Sequence, residues 1–470
     1  MKQPNLVFVL TDQWRAQAFG YAGDPNVKTP NIDALAARSV NVENAISVCP
    51  VCTPQRASLL TGRFPTTTGM FHNDIYLPKE ELCIAEILKD AGYDTAYVGK
   101  WHLDGHGRDA YIPPERRQGF DYWKVLECTH SYNESYYYAG DDPTPRLWEG
   151  YDAYAQTKDA QRYIREHAAG DRPFFLFVGY GGPHFPHDSA PDELKALYPP
   201  EELELRPNVT ADQEERTRAE LQGYYGHCTA IDSCVGDLYR TLEDVGVADN
   251  TIFVFTSDHG DMHGSQGHKS WTKQVPWDES VCIPFLLRYP GIHDDGRTVT
   301  TPLTTPDILP SLLSLAGVDI PDRIEGDDLS GLFTGKEEDI DRHALFMAVA
   351  PFGPKIQAYR GVRNARYTYV RNPDGPWLLY DNEVDPYQMN NLVDDPVHKA
   401  LRDTLDAELK RQLDRNGDCV MSREEAVAKW GYDTREGCAI PYRGQFKVQS
   451  PGPDRGETCT FAPKRRKKRD

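Results

Sequence analysis

Nowhere in these 470 residues is there an unbroken apolar run of the about 18 residues that a membrane-spanning helix needs. The apolar stretch nearest the start, Leu6 to Leu10, is also too short for the core of a signal peptide. The chain as given is therefore expected to be soluble and cytoplasmic, or secreted or periplasmic if a leader has been removed. Positive charge is in short supply. Lys and Arg total 52 against 72 Asp and Glu, a net charge of -20, so the field of the whole molecule repels nucleic acid. Any anionic substrate has to be met by a local basic pocket. The 10 cysteines follow no small-scaffold disulfide pattern, and no second Cys pair stands at zinc-finger spacing, so mostly reduced thiols are expected. The sequons at Asn133 and Asn208 then carry no weight. From about residue 437 apolar residues thin out, and the chain ends in the basic run Lys464 to Arg469, expected to be a solvated, frayed end.

Four segments share one pattern: a short apolar run that reads as a buried strand, followed at once by polar residues able to bind or react. They are Leu6 to Leu10 with Asp12 and Gln13; Thr95 to Val98 with Lys100 and His102; Phe174 to Val178 with His184; and Ile252 to Phe255 with Asp258 and His259. In open α/β sheets the ligand crevice lies beyond the carboxyl ends of the strands, so four strand ends are expected at one site. Helical patterns lie between them, at Ile84 to Ala91, Tyr224 to Leu242 and, with an internal Pro310, Asp307 to Gly317. The fold class is thus α/β, a large, mainly parallel mixed sheet flanked by helices, placed at residues 1–345. Short strands at Tyr359 to Val362, Tyr367 to Val370 and Trp377 to Tyr380, then an amphipathic helix at Leu401 to Leu413, predict a smaller antiparallel sheet with a helix at 346–436. The tail at 437–470 is expected to be partly irregular.

The chemistry concentrates in Cys52-Thr53-Pro54-Gln55-Arg56-Ala57-Ser58-Leu59-Leu60-Thr61-Gly62-Arg63. Pro54 suits the first position of a helix and Arg56 falls one turn below Cys52, which holds a sulfur beside a cation at a positive helix end. Such a place binds an anion. Cys49-Pro50-Val51-Cys52 also reads as a redox couple or half a zinc site, and a lone buried cysteine is commonly structural.

The same run resembles the signature of the type I sulfatases, Cys-x-Pro-x-Arg followed by Leu-Thr-Gly-Arg. Gly99 to His102, Thr256 to Gly260, Lys273, Trp277 to Ser280 and Asp385 to Leu392 resemble further landmarks of that family, of the alkaline-phosphatase-like superfamily, in its order. The resemblance implies that Cys52 is oxidised to formylglycine by a formylglycine-generating enzyme. It also implies a divalent metal on Asp12, Gln13, Cys52, Asp258 and His259, most simply Ca²⁺, with Mn²⁺ or Zn²⁺ as alternatives because Gln13 replaces a second aspartate. In this reading a hydroxyl of the hydrated aldehyde attacks sulfur, the alcohol leaves, and the carbonyl reforms as sulfate departs. The resemblance assigns Arg56 to holding the nucleophile, Lys100 to the substrate anion and His102 to accepting a proton from the remaining hydroxyl. It gives His184 and Lys273 the sulfate grip and the protonation of the leaving oxygen.

The implied substrate is a small-molecule or saccharide sulfate ester. A phosphonate monoester or phosphodiester, hydrolysed by relatives that share Thr11-Asp12-Gln13, is the alternative. Asn73 is a further candidate for the pocket. His187, His263 and His268 stand close to the site in sequence without an assigned role. The aromatics from Trp123 to Trp148, including Tyr132, Tyr136, Tyr137 and Tyr138, read either as a sugar-stacking wall or as ordinary packing.

Overall fold

The computed structural model describes residues 3–289, 295–352 and 356–432; the tail at 437–470 lies outside them. Its centre is a ten-stranded sheet in the order Arg297–Val299, Val40–Val42, Phe285–Arg288, Thr251–Ser257, Asn5–Asp12, Phe174–Pro183, Asp94–Lys100, Tyr122–Leu126, Tyr136–Ala139, Asp142–Leu147. The strands from Thr251–Ser257 through Tyr122–Leu126 are mutually parallel; antiparallel pairs flank them on both sides, and the edge strand Arg297–Val299 pairs parallel with Val40–Val42. All four segments singled out by their apolar runs are neighbours in this parallel centre.

Alternation along each strand divides two cores. Leu6, Phe8, Leu10, Phe175, Phe177, Ile252 and Val254 face a core shared with the helices Cys52–Thr61, Ile84–Asp90 and Ile308–Ala316. Val7, Val9, Leu176, Val178, Phe253 and Phe255 face the other, with Asp152–His167 and the long helix Glu214–Asp244. The long helix starts ten residues before the sequence pattern, because Glu214 to Gly223 is mostly polar and carries little apolar periodicity. Pro310 makes no kink: it is the third residue of Ile308–Ala316, where its missing N–H has no partner to lose. The outermost strand, Asp142–Leu147, was not expected, since it contains Pro143 and Pro145; an edge tolerates them.

Ala344–Ala348, Tyr359–Arg363, Tyr367–Asn372 and Gly375–Asp381 form a four-stranded antiparallel sheet. The helix Lys399–Arg415 buries Leu405, Leu409 and Leu413 with Val362, Tyr369 and Leu379 of that sheet. Each such leucine contributes about 1.5–3 kcal/mol by leaving water. Those residues belong to the same apolar cluster as the Cys52 helix, so the small sheet buttresses the large one.

Candidate active site

Cys52 opens a ten-residue helix, Cys52–Thr61, whose extended preceding residue is Val51. The helix therefore begins two residues before the expected start, and Pro54 is its third residue; all of the first turn lacks N–H partners, so proline is accepted there as well. Arg56 is one turn further along, as expected. Asn73 Oδ1 accepts the Thr53 N–H at 2.9 Å and so satisfies one of the orphan donors of that turn.

Four strand ends converge on the sulfur. Asp12 closes its strand after a register shift between Leu10 and Asp12, and Gln13 follows with φ 67, turning the chain across the site. Asp258 and His259 follow Thr251–Ser257. Lys100 closes Asp94–Lys100, where Gly99 is required: at φ 107, a Cβ there would lie 2.2 Å from the Gly179 carbonyl oxygen. An extended spacing was expected to put Lys100 and His102 on one side. Instead His102 has φ 60, and a turn brings both to the same cavity.

Cys52 Sγ lies 3.6 Å from Asp12 Oδ1, 3.4 Å from His259 Nε2, 3.8 Å from Lys100 Nζ and 3.4 Å from Lys273 Nζ. Beneath it Arg56 clamps the two carboxylates, donating from Nε to Asp258 Oδ2 at 3.2 Å and from Nη2 to Asp12 Oδ2 at 3.0 Å. Its Nη1 donates to the Lys100 carbonyl at 3.0 Å. Lys100 Nζ donates to Asp12 Oδ2 at 2.6 Å. Burial opposes ionisation of Asp12, but the charges of Lys100, then Arg56 and Lys273, outweigh it and hold the carboxyl well below its ordinary range. For Asp258, burial and then the charge of Asp12 push the carboxyl up. Two buried carboxylates in this state favour a cation between them.

The donors fit one. Single ligand atoms of Asp12, Cys52, Asp258 and His259, all buried, lie within 4.8 Å of one another. Gln13 donates from its backbone N to Asp258 Oδ1 at 3.0 Å and from Nε2 to Asp261 Oδ2 at 2.8 Å, which leaves Oε1 as the acceptor beside Lys273 Nζ, 3.5 Å away. An oxygen-rich set with one imidazole suits a hard or borderline dication.

Above the sulfur is a cavity of about 370 Å³ whose lining, among the described residues, contains Lys100, Arg108 and Lys273 and no carboxylate. A chain of net charge -20 thus presents a cationic hollow where these four strand ends meet. His184 Nε2 accepts from Lys273 Nζ at 2.9 Å; burial, then Lys273, push its pKa well down, so the imidazole is neutral. His102 Nε2 lies 2.9 Å from Asp74 Oδ1, while Arg108 donates to both Asp74 oxygens at 3.1 and 3.0 Å. Burial lowers the His102 pKa, yet the Cys128 thiol, Asp74 and Cys52 raise it further, so it ends well above the ordinary value.

The structure also brings Arg108, His130, Phe185, Trp271 and Phe352 to the cavity, none of them singled out by the sequence. Phe185 and Trp271 do lie within two residues of His184 and Lys273. Of the Trp123 to Trp148 aromatics, Trp123 and Tyr132 are buried and Tyr137 stacks on Trp148 at 3.9 Å, which is packing, whereas Tyr136 is exposed and Tyr138 half-buried. The eight cysteines among the described residues are all free, so Cys49 and Cys52 are not joined; burial pushes the Cys49 thiol up to about 12. His268 packs against Trp277. None of the described helices is long and apolar enough to cross a membrane.

A family model described as Sulfatase matches residues 4–318, and one described as N-sulphoglucosamine sulphohydrolase, C-terminal, matches residues 266–415. An ulvan-active sulfatase of Formosa agariphila is 53% identical, over 96% of this chain and 90% of its own length. An endo-4-O-sulfatase of Bacteroides thetaiotaomicron is 32% identical, over 83% and 88%. A solved structure from the glycosaminoglycan-metabolising core locus of B. thetaiotaomicron superposes with a TM-score of 0.81 at 29% identity, covering 91% of this chain and 99% of that one.

Proposed function

This chain belongs to the sulfatase family, a sulfuric ester hydrolase, and from that premise we propose that it removes sulfate from an ulvan-like sulfated saccharide with Cys52, as formylglycine, supplying the nucleophile. The observation that carries the reading is the place of Cys52 Sγ, at a helix N-terminus on the floor of a cationic cavity, within 3.8 Å of two lysines, an aspartate and a histidine.

Asp12, Gln13, Asp258 and His259 would hold a divalent cation together with the modified Cys52 side chain, Ca²⁺ being the ion favoured by the oxygens and Mn²⁺ or Zn²⁺ by the imidazole. Formylglycine supplies a hydrated aldehyde, one hydroxyl for attack on sulfur and another from which the carbonyl reforms. Arg56 keeps Asp12 and Asp258 aimed at the side chain of residue 52. Lys100 and Lys273 stabilise the negative charge of the sulfuryl group as it is transferred, in a site where fixed charges need no reorganisation. His102 takes the proton from the remaining hydroxyl, with Asp74 and Arg108 fixing its ring. Lys273 delivers a proton to the departing oxygen, with neutral His184 orienting it. Phe185 and Trp271 give the saccharide apolar faces on which to rest.

The test is sulfate release. Sulfated ulvan oligosaccharides, an aryl sulfate and an aryl phosphonate monoester are offered to one preparation. The proposal requires the saccharide to be cleaved with the highest kcat/KM; phosphonate as the preferred substrate would replace it with the diesterase reading, and cleavage of the aryl sulfate alone would reject the saccharide.

A further inference from the structure

Behind the catalytic cavity lies a second group of ligand-type side chains. His187 starts the short turn His187–Ser189 just after His184, and Asp261 and His263 follow Asp258 and His259. All three are buried, and one ligand atom from each lies within 4.8 Å of the others. His263 Nε2 is 3.6 Å from Asp261 Oδ2, too far for a hydrogen bond.

The decisive feature is what these imidazoles lack. Nε2 of His187 and Nε2 of His263 are both buried without a hydrogen-bond partner. An unsatisfied buried polar atom costs about 1–3 kcal/mol, and two in one place call for an explanation. The outer nitrogens, by contrast, are held: His187 Nδ1 is 2.9 Å from Glu220 Oε2, and His263 Nδ1 is 3.2 Å from Ser270 Oγ. A carboxylate on the outer nitrogen fixes the tautomer that leaves a lone pair on Nε2, which is how metal-ligating histidines are oriented. Burial, with Arg15 and His187, keeps His263 neutral. Asp261 accepts from Gln13 Nε2 at 2.8 Å and Trp271 N at 2.9 Å on Oδ2 and from His263 N at 3.2 Å on Oδ1, so a lone pair on Oδ1 is left for an ion.

We propose that His187, Asp261 and His263 bind a divalent cation of the zinc class at a site separate from the catalytic metal. Two imidazoles and one carboxylate are a borderline set that favours Zn²⁺ over Ca²⁺, with water completing the tetrahedron. The neighbouring Arg15 guanidinium weakens attraction for a dication, and Glu220 on His187 offsets it. The ion ties the turn after His184 to the loop that carries Trp271 and Lys273. Through Asp261 it also fixes Gln13. Its role is to position those groups, not to touch substrate.

The test is metal content. The full chain is stripped with a chelator, equilibrated with excess Ca²⁺, then exposed to Zn²⁺, passed through gel filtration and analysed for zinc. One zinc per chain is expected in the wild type and in Asp258→Asn, with at least a tenfold fall in His187→Gln and in His263→Gln. Absence of retained zinc in the wild type overturns the proposal. So does zinc that survives both histidine substitutions but is lost in Asp258→Asn. Should the histidine variants fail to fold, zinc-edge anomalous diffraction from wild-type crystals decides. A peak bonded to the three side chains supports the site, and zinc found elsewhere with none there overturns it.

Discussion

Lys273 Nζ donates to His184 Nε2 across 2.9 Å, and the two residues reach that contact from segments 89 positions apart. Because burial and Lys273 keep His184 neutral, the proton in this hydrogen bond is the one that Lys273 donates. A saccharide alkoxide needs that proton more than a phenolate does. Lys273→Met should therefore lower kcat on a sulfated oligosaccharide by about 10²–10⁴, with a smaller loss on an aryl sulfate. Parallel steady-state kinetics on the two esters check this, and equal losses would assign Lys273 to anion binding alone.

Asp74 controls His102 in a way that pH can expose. The Cys128 thiolate, then the hydrogen bond to the Asp74 carboxylate, raise the imidazole against the effect of burial, so proton acceptance by His102 begins only at higher pH. Removing the Asp74 charge lowers the pKa. In Asp74→Asn the acid limb of the kcat profile should move to lower pH, and a shift the other way would contradict the role given to His102.

Arg56 is 2% exposed and bonded to two carboxylates that are fully buried. Truncating it strands Asp258 and leaves Asp12 with Lys100 alone. Arg56→Ala should lose about 3–5 kcal/mol in denaturant unfolding, as breaking a buried ion pair does, along with activity. Arg56→Lys keeps the charge but not the planar fork that spans Asp12 and Asp258, and is expected to fold yet remain severely impaired.

His227 gives a stability signature independent of catalysis. It accepts the Tyr151 hydroxyl at Nδ1, 2.6 Å away, and burial, then His187, lower its pKa to about 3. Between pH 6.5 and about 3 the unfolded chain binds a proton that the folded chain refuses, so this residue makes stability fall as pH falls. The slope is about 1.4 kcal/mol per pH unit. His227→Asn keeps an acceptor for Tyr151 but cannot titrate, so the wild-type advantage should shrink as pH drops from 6.5 toward 4. Unfolding curves for both proteins across that range check the sign.

The four central parallel strands were legible because each is buried on both faces and reads as a continuous apolar run followed by a reactive side chain. Asp12, Cys52, Lys100, His102, His184, Asp258 and His259 are polar residues placed after such runs or at a helix start, Lys273 lies on a loop and was marked only by the family resemblance, and the structure brings them together. Arg108, Trp271 and Phe352 reach the same cavity on loops, where no periodicity marks them. Nor could spacing reveal that His187 meets Asp261 and His263, since that contact depends on how two loops fold over the long helix. The start of Glu214–Asp244 escaped for a different reason: its first turns are solvated, and only packing by the later turns extends the helix there.

Tandem mass spectrometry of the peptide spanning Cys52, taken from a preparation whose sulfate-releasing active fraction has been measured, tests the central claim most directly. The account predicts an aldehyde in place of the thiol at residue 52, in a proportion that matches the active fraction. Full sulfatase activity from protein in which that peptide carries only unmodified cysteine would contradict it.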